Sequence, residues 1–226
     1  MKRKFAGLLI ACAFALSPQV SNASSMELPQ DTYYWVQSTS RVSYYFNMKD
    51  MHYGVDDKGI IDMNTLFVTT ISTYDNLQID DVVSKRRWKE LPLDGYEDLV
   101  GSVGYLTFNL AEGTVNVTKH IDVNSQMEPL DEDTSGRLIK LDSLSDKNVE
   151  GIFFRGILEY ASSNTEKIIA NTNGELSKED LQKLEKAKKE AEEAEKKAEK
   201  ERKKAEKEKK KAEKNNKDNN DSKDSK

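Results

Sequence analysis

Four cations and an indole fall within five residues, Lys85-Arg86-Arg87-Trp88-Lys89. Guanidinium forks and ammonium groups around a flat ring can hold an anion and stack on what carries it. The chemistry to expect is recognition of an anionic glycan, a lipid headgroup or a cell-wall phosphate. The competing reading is a charged edge strand or hairpin arm with Trp88 turned into the core. A second pattern is Asp131-Glu132-Asp133-Thr134-Ser135-Gly136, with Asp142 at the twelfth position. It resembles a calcium loop in form, but Ile139 stands where a polar ligand is usual and no helix precedes it. An acidic surface loop is the competing reading.

Catalytic signals are sparse. His52 and His120 are the only two histidines, and neither lies in a zincin or triad motif. The nucleophile-elbow, Walker and dinucleotide glycine patterns do not occur. Cys12 is the only cysteine. The sequence therefore predicts a protein that is not an enzyme, with no cofactor and no metal.

The elements around these residues begin with an address. Residues 1–23 carry a basic start (Lys2, Arg3, Lys4), an apolar run broken by Pro18, and small residues at Ser21-Asn22-Ala23. This is a secretory signal peptide pattern with cleavage after Ala23. The rival is a lipoprotein box, Leu9-Ile10-Ala11-Cys12. Cleavage after Ala23 removes Cys12, and with it disulfides, thiolate metal sites and thiol catalysis. The expected location is the periplasm or surface of a bacterium.

Charge divides the remainder. Residues 24–174 hold 13 Lys and Arg against 24 Asp and Glu, and residues 175–226 hold 19 against 16. An acidic body argues against nucleic acid as a partner.

The body opens on alternating aromatic, β-branched and polar residues from Tyr33 to Thr73. Tyr34, Val36 and Ser38 form one set. Val42, Tyr44 and Phe46 form another, and Ile61, Met63, Thr65, Phe67, Thr69 and Ile71 a third. The period of two predicts half-buried antiparallel strands. Leu77, Ile79, Val82 and Val83 suggest a further strand, and residues 96–100 one helical turn. Residues 105–110 and 114–121 alternate around Ala111-Glu112-Gly113, which predicts a hairpin with glycine at positive φ. Gly101 and Gly104 loosen the approach to it. Residues 124–135 read as a mobile loop and 137–141 as a short strand. Residues 145–170 predict one helix with an inward stripe of Val149, Ile152, Phe153, Ile157 and Tyr160, ended by Gly174.

Ser177-Lys178-Glu179-Asp180 is a capping pattern. Beyond it, residues 186–214 contain only Ala, Glu, Lys and one Arg. Glu192–Lys196, Glu193–Lys197, Glu199–Lys203 and Glu206–Lys210 are i,i+4 pairs in the favourable order. An alanine seam supplies little association energy, so the segment reads as a lone charged helix, with a weak coiled coil as the alternative. From 177 to 214 it would span roughly 57 Å. Residues 215–226 are disordered by composition.

The order of features resembles the surface-adhesin-E-like domains of bacterial secreted proteins, over roughly residues 32–161. The matching residues are Trp35-Val36, Tyr44-Tyr45-Phe46-Asn47, the strand at 60–71, the hairpin at 105–121 around Gly113, and the helix from Ser145. The cysteine pair common in that family is absent here. The resemblance implies a small surface protein, adhesive in some members, and transfers no ligand residue.

The expectations are these. The fold is α+β, an antiparallel sheet of five or six strands with a C-terminal helix packed on one face, then a charged single helix and a disordered tail. The domains are 1–23, 24–174, 175–214 and 215–226. The function is that of a non-enzymatic envelope or surface interaction module on a charged helical spacer. The alternative is a secreted module that sequesters an anionic envelope component. Lys85, Arg86, Arg87, Trp88 and Lys89 are the candidate binding residues. The partner is an envelope protein or anionic glycan, with no nucleic acid, no transmembrane helix in the mature chain, and a monomer expected.

Overall fold

The computed structural model describes Met26 and residues 28–190, 193, 196, 197 and 199–203. The signal peptide, Cys12, the tail at 215–226 and the Glu192–Lys196 and Glu206–Lys210 pairs lie outside the described residues in whole or part. No described helix is long and apolar enough to cross a membrane. The fold is α+β, built on an antiparallel sheet, and the chain divides into two compact units.

The first unit comprises the described residues of Met1–Met51 together with Leu66–Thr165. Its strands are β1 (Tyr33–Ser38), β2 (Val42–Asn47), the later part of β4 (Ile61–Tyr74), β5 (Leu99–Asn109), β6 (Thr114–Asn124), β7 (Pro129–Asp133) and β8 (Arg137–Lys140). They are ordered β1-β2-β4-β5-β6-β7, and β8 also pairs with β6. Eight strands among the described residues, β3 included, exceed the five or six that the pattern suggested. The surplus comes from short segments. Residues 124–135 do not form a loop throughout, because 129–133 pairs with the far half of β6 (His120↔Asp133, Asp122↔Asp131). β8 pairs with the near half, so two short strands in tandem cover one edge of β6.

The central hairpin forms as the alternation predicts, with Gly113 at φ 62°. Gly101 and Gly104 do not loosen the chain. They lie inside β5, where a Cβ on Gly101 would sit 2.1 Å from the backbone oxygen of Ser72 on β4. In β1 the expected faces change partway. A bulge between Trp35 and Gln37 lets Tyr34 oppose Phe46 and Gln37 oppose Tyr44, so Gln37 joins the Tyr34 face.

That face meets α2 (Val149–Ser163). Phe153, Phe154, Ile157 and Ala161 are buried at three- and four-residue spacing, while Val149 and Ile152 face outward. Rings from both layers meet: Tyr44 with Phe153 at 5.4 Å, Phe108 with Phe154 at 6.0 Å, and Phe46 with Tyr160 at 5.0 Å. Each fully buried ring of this kind contributes about 1.5–3 kcal/mol. Gly156 admits Val36 of β1, whose Cγ1 would lie 2.5 Å from an added Cβ. The helix predicted over 145–170 is in fact two. Asn148 caps α2 by accepting from the Gly151 amide at 2.8 Å, so nothing helical precedes it except a single turn at Leu141–Ser143. Asn164, at φ −126° and ψ 24°, then interrupts the run before α3 (Thr165–Asn171).

The second unit comprises His52–Thr65 and the described residues from Glu166 onward. β3 (His52–Val55) pairs with β4 around a turn in which Gly59 takes φ 79°. Buried Thr172 accepts from the Tyr53 amide at 2.9 Å and donates to the Ile168 carbonyl at 2.7 Å. Glu175 bridges to Ile60. Gly174 does not terminate a helix at positive φ. It lies three residues past α3, with Gly59 O and Ile61 Cγ1 both 3.0 Å from where its Cβ would be. Ser177 forms the expected cap, accepting from the Asp180 amide at 3.0 Å. Helix α4 follows over 178–190, and residues 193, 196, 197 and 199–203 are also helical. Lys183–Glu179 and Lys203–Glu199 are formed i,i+4 pairs.

Because Ser72 O is main chain and cannot turn aside, Gly101→Ala is expected to destabilise the first unit by about 3 kcal/mol, the upper part of the range for overpacked sites. Urea unfolding of the purified variant measures this, and a loss under about 0.5 kcal/mol would show that the two strands separate easily.

Candidate functional site

The segment expected as a strand at 77–83 is a helix, α1 (Asn76–Trp88). Its apolar residues recur as Ile79, Val82 and Val83, with Arg86 next, a period of 3.6 rather than 2. Asp75 caps it, accepting from the Gln78 amide at 2.7 Å. Arg86 is thereby carried inward and is 9 % exposed, while Lys85, Arg87 and Lys89 stay outside.

The end of α1 is fixed by two reverse bonds, Leu91 N to Arg86 O at 3.0 Å and Glu90 N to Arg87 O at 3.1 Å. That pair defines a Schellman cap whose C′ residue belongs in the left-handed region, normally as glycine. Here Glu90 holds φ 55°, a conformation that costs a residue with a side chain roughly 1–2 kcal/mol. The cap leaves Trp88 84 % exposed. Trp88 is therefore not a core residue, and the reading of this segment as an edge strand or hairpin arm is corrected with it. The structure brings together Lys85, Arg87, Trp88 and Lys89 at one helix end and separates Arg86 from them.

Arg86 joins a buried polar network instead. Its Nε and Nη2 donate to Pro92 O at 3.1 and 3.0 Å, and its Nη1 pairs with Asp131. The guanidinium lies 4.2 Å from the centroid of the buried Tyr96 ring. The Tyr96 hydroxyl donates to Asp122 Oδ2 at 2.7 Å, and His120 Nε2 is 3.3 Å from Asp122 Oδ1. Burial would raise the Asp122 carboxyl, but bonds from His120 and Tyr96, with the charge of Arg86, hold it below the ordinary value. Tyr96 is pushed up, first by burial and then by Asp122.

His120 also borders a cleft of about 230 Å³ in the first unit. Its floor is the α2-facing side of the sheet, where large apolar residues give way to Thr70, Ser72, Ser102 and Gly104. Tyr44 and Phe153 form a wall, and Arg137 and Glu150 lie at the rim. Arg137 grips Glu150 with both terminal nitrogens, Nη1 to Oε2 at 3.1 Å. The Tyr74 hydroxyl donates to Ser102 Oγ at 2.8 Å, and burial pushes its phenol up to about 12.

The calcium-like pattern is not a loop. Asp131 and Asp133 lie on β7, and Asp142 is the middle residue of the 3-10 turn Leu141–Ser143 after β8. Asp131 is engaged by Arg86, and Asp133 accepts from the Ser135 amide at 2.8 Å. Among the described residues no group of three or more carboxylate, His or Cys side chains is placed to hold a metal. Sequence reading missed Tyr44, Ser72, Tyr74, Ser102 and Asp122. Their common signal was polar residues at core-facing positions of otherwise apolar strands, such as Thr70-Ser72-Tyr74.

No protein-family model, curated protein or solved structure matches the chain.

A carboxyl held low stabilises the fold above its unfolded value near 4, and that stability is lost as pH falls through the lower folded value. Tyr96→Phe removes a bond that lowers Asp122. The variant is expected to be less stable at neutral pH by about 1–3 kcal/mol and to lose less further stability on acidification below pH ~4. Thermal unfolding across that range checks this, and parallel curves for variant and wild type would contradict it.

Proposed function

We propose that this protein is a non-enzymatic cell-envelope interaction module that holds an anionic glycan on the end of α1. The observation that carries this reading is Trp88, 84 % exposed between the exposed cations Lys85, Arg87 and Lys89. A sugar ring can lie against the indole while its carboxylate, sulfate or phosphate reaches a cation on either side. A glycan strand suits the patch better than a membrane. The body around it is acidic, and charges act over only about 8–10 Å at moderate salt. A thread touches the patch alone, whereas a flat anionic surface also meets the surrounding carboxylates. One ring also buries too little area for stable insertion in lipid.

Export rests on the signal pattern at residues 1–23. The charged segment from Ser177 serves as a spacer, supported by the Ser177 cap and by i,i+4 pairs such as Lys203–Glu199. The alternative, a module that sequesters a small ligand, is favoured by the cleft over the sheet.

Affinity electrophoresis through polygalacturonate gels tests the reading. The wild type is expected to be retarded, and less so as salt rises. Lys85→Glu with Arg87→Glu removes the retardation, and Trp88→Ala weakens binding about tenfold. Equal mobility of wild type and both variants at low salt would overturn the assignment. Binding instead to phosphatidylglycerol vesicles would transfer it to lipid headgroups.

A further inference from the structure

We infer that the cleft above the sheet is a binding site for one uncharged, hydroxyl-bearing ring, a single sugar residue. The site is distinct from the end of α1 and stands whether or not that end binds a glycan.

The space is kept open. Core-facing positions of a sheet under a helix are normally filled to crystal density, whereas this space is open to solvent. Here part of the floor is made of small residues, Ser72, Ser102 and Gly104. Gly104 faces Thr70, whose Oγ1 would lie 2.7 Å from a Cβ at that position. Ser72 and Ser102 continue the floor at a level where Leu106 and Phe108 fill the same face farther along β5. At about 230 Å³ the cleft lies below the ~300–1,000 Å³ of sites for drug-sized ligands, and it admits one ring.

Each ion on the cleft is met within the protein. Arg137 is paired with Glu150, and His120 rests on Asp122. The phenol of Tyr74, with its ionisation pushed up to about 12, stays neutral at physiological pH. A charged ligand would find no unmatched counter-charge and would lose its hydration.

Tyr44 and Phe153, with ring centroids 5.4 Å apart and planes at 44°, offer an aromatic wall to the C–H face of a sugar. Thr70 and Tyr74 spend their protons on Gly104 O and Ser102 Oγ, at 3.1 and 2.8 Å, and offer lone pairs, while Ser72 and Ser102 offer donors as well as acceptors to its rim. An apolar ring would leave those hydroxyls without new partners, and a linear polyol would waste the wall.

The test uses the full chain, 15N-labelled, titrated with methyl glucoside, glucuronate and cyclohexanol and followed by amide shifts. Methyl glucoside is expected to give saturating shifts at Ser72, Gly104 and Gln78 with a Kd on the order of 1 mM, and the other two to bind at least about tenfold more weakly. Ser72→Leu, which fills the cleft, abolishes the shifts. Tyr74→Phe, which removes one of the rim hydroxyls, weakens them several-fold with the spectrum otherwise unchanged, which holds the test open should the leucine variant unfold. Lys85→Glu with Arg87→Glu leaves them intact, so failure of the glycan site on α1 is read separately. Absence of saturating shifts at these residues, equal binding of cyclohexanol, or persistence of binding in the folded Ser72→Leu variant would overturn the inference.

Discussion

A guanidinium taken out of water is tolerated only where its donors are met. Arg86 is the place where this chain does so. Pro92 O takes two donors, Asp131 takes a third, and the ring of Tyr96 lies against the cationic plane. One side chain therefore ties the end of α1 to the segment after it, to the 3-10 turn at Tyr96–Asp98 and to β7. Those partners come from separate stretches of the chain, each weakly specified by itself. α1 has little apolar surface to bury, since Arg86 is its only buried residue, and β7 is a five-residue edge strand with exposed ends. The ion pair supplies what apolar area does not.

The same bond decides what the surface displays. With Arg86 turned inward, the next residues on the helix turn outward, and the reversed cap at Glu90 holds them there. A run of four cations in sequence becomes three exposed cations and an indole in space. On the other side of Tyr96, the network continues through Asp122 to His120 at the border of the cleft. Both candidate surfaces thus lean on one buried polar assembly, which is satisfied at every buried side-chain atom among the described residues. Ser102 takes its bond from Tyr74, and His120 is engaged with Asp122.

Strands with strict alternation were legible in the sequence, because burial on one face of a sheet leaves a period of two. The hairpin around Gly113 and the strand at Val42–Asn47 are of this kind. In Ile61–Tyr74 the strand was legible but its buried face was not, because Leu66, Val68 and Thr70 are buried while the expected Thr65, Phe67 and Thr69 are only half-buried. The errors have local causes. Ile79, Val82, Val83 and Arg86 follow a helical period, but an arginine in the half-buried stripe disguised it. The cap that would have revealed it, Asp75 three residues before Gln78, was present in the sequence. The long helix at 145–170 was misjudged at its start and in its interior because Asn148 and Asn164 act through side-chain bonds. β7 carries Asp131, Glu132 and Asp133, residues with no strand propensity, and it pairs because Lys119 and Arg86 meet its carboxylates. The cleft was least legible. A hydroxyl at a core-facing position shows in sequence only as a broken alternation, and the space above it depends on where α2 begins.

The most direct measurement is a double-mutant cycle on Arg86 and Asp131, with urea unfolding of Arg86→Met, Asp131→Asn and the pair together. If this ion pair holds the end of α1 to β7, the two losses are not additive and the coupling is at least about 1 kcal/mol. Additive losses, or an Arg86→Met protein as stable as the wild type, would contradict the account.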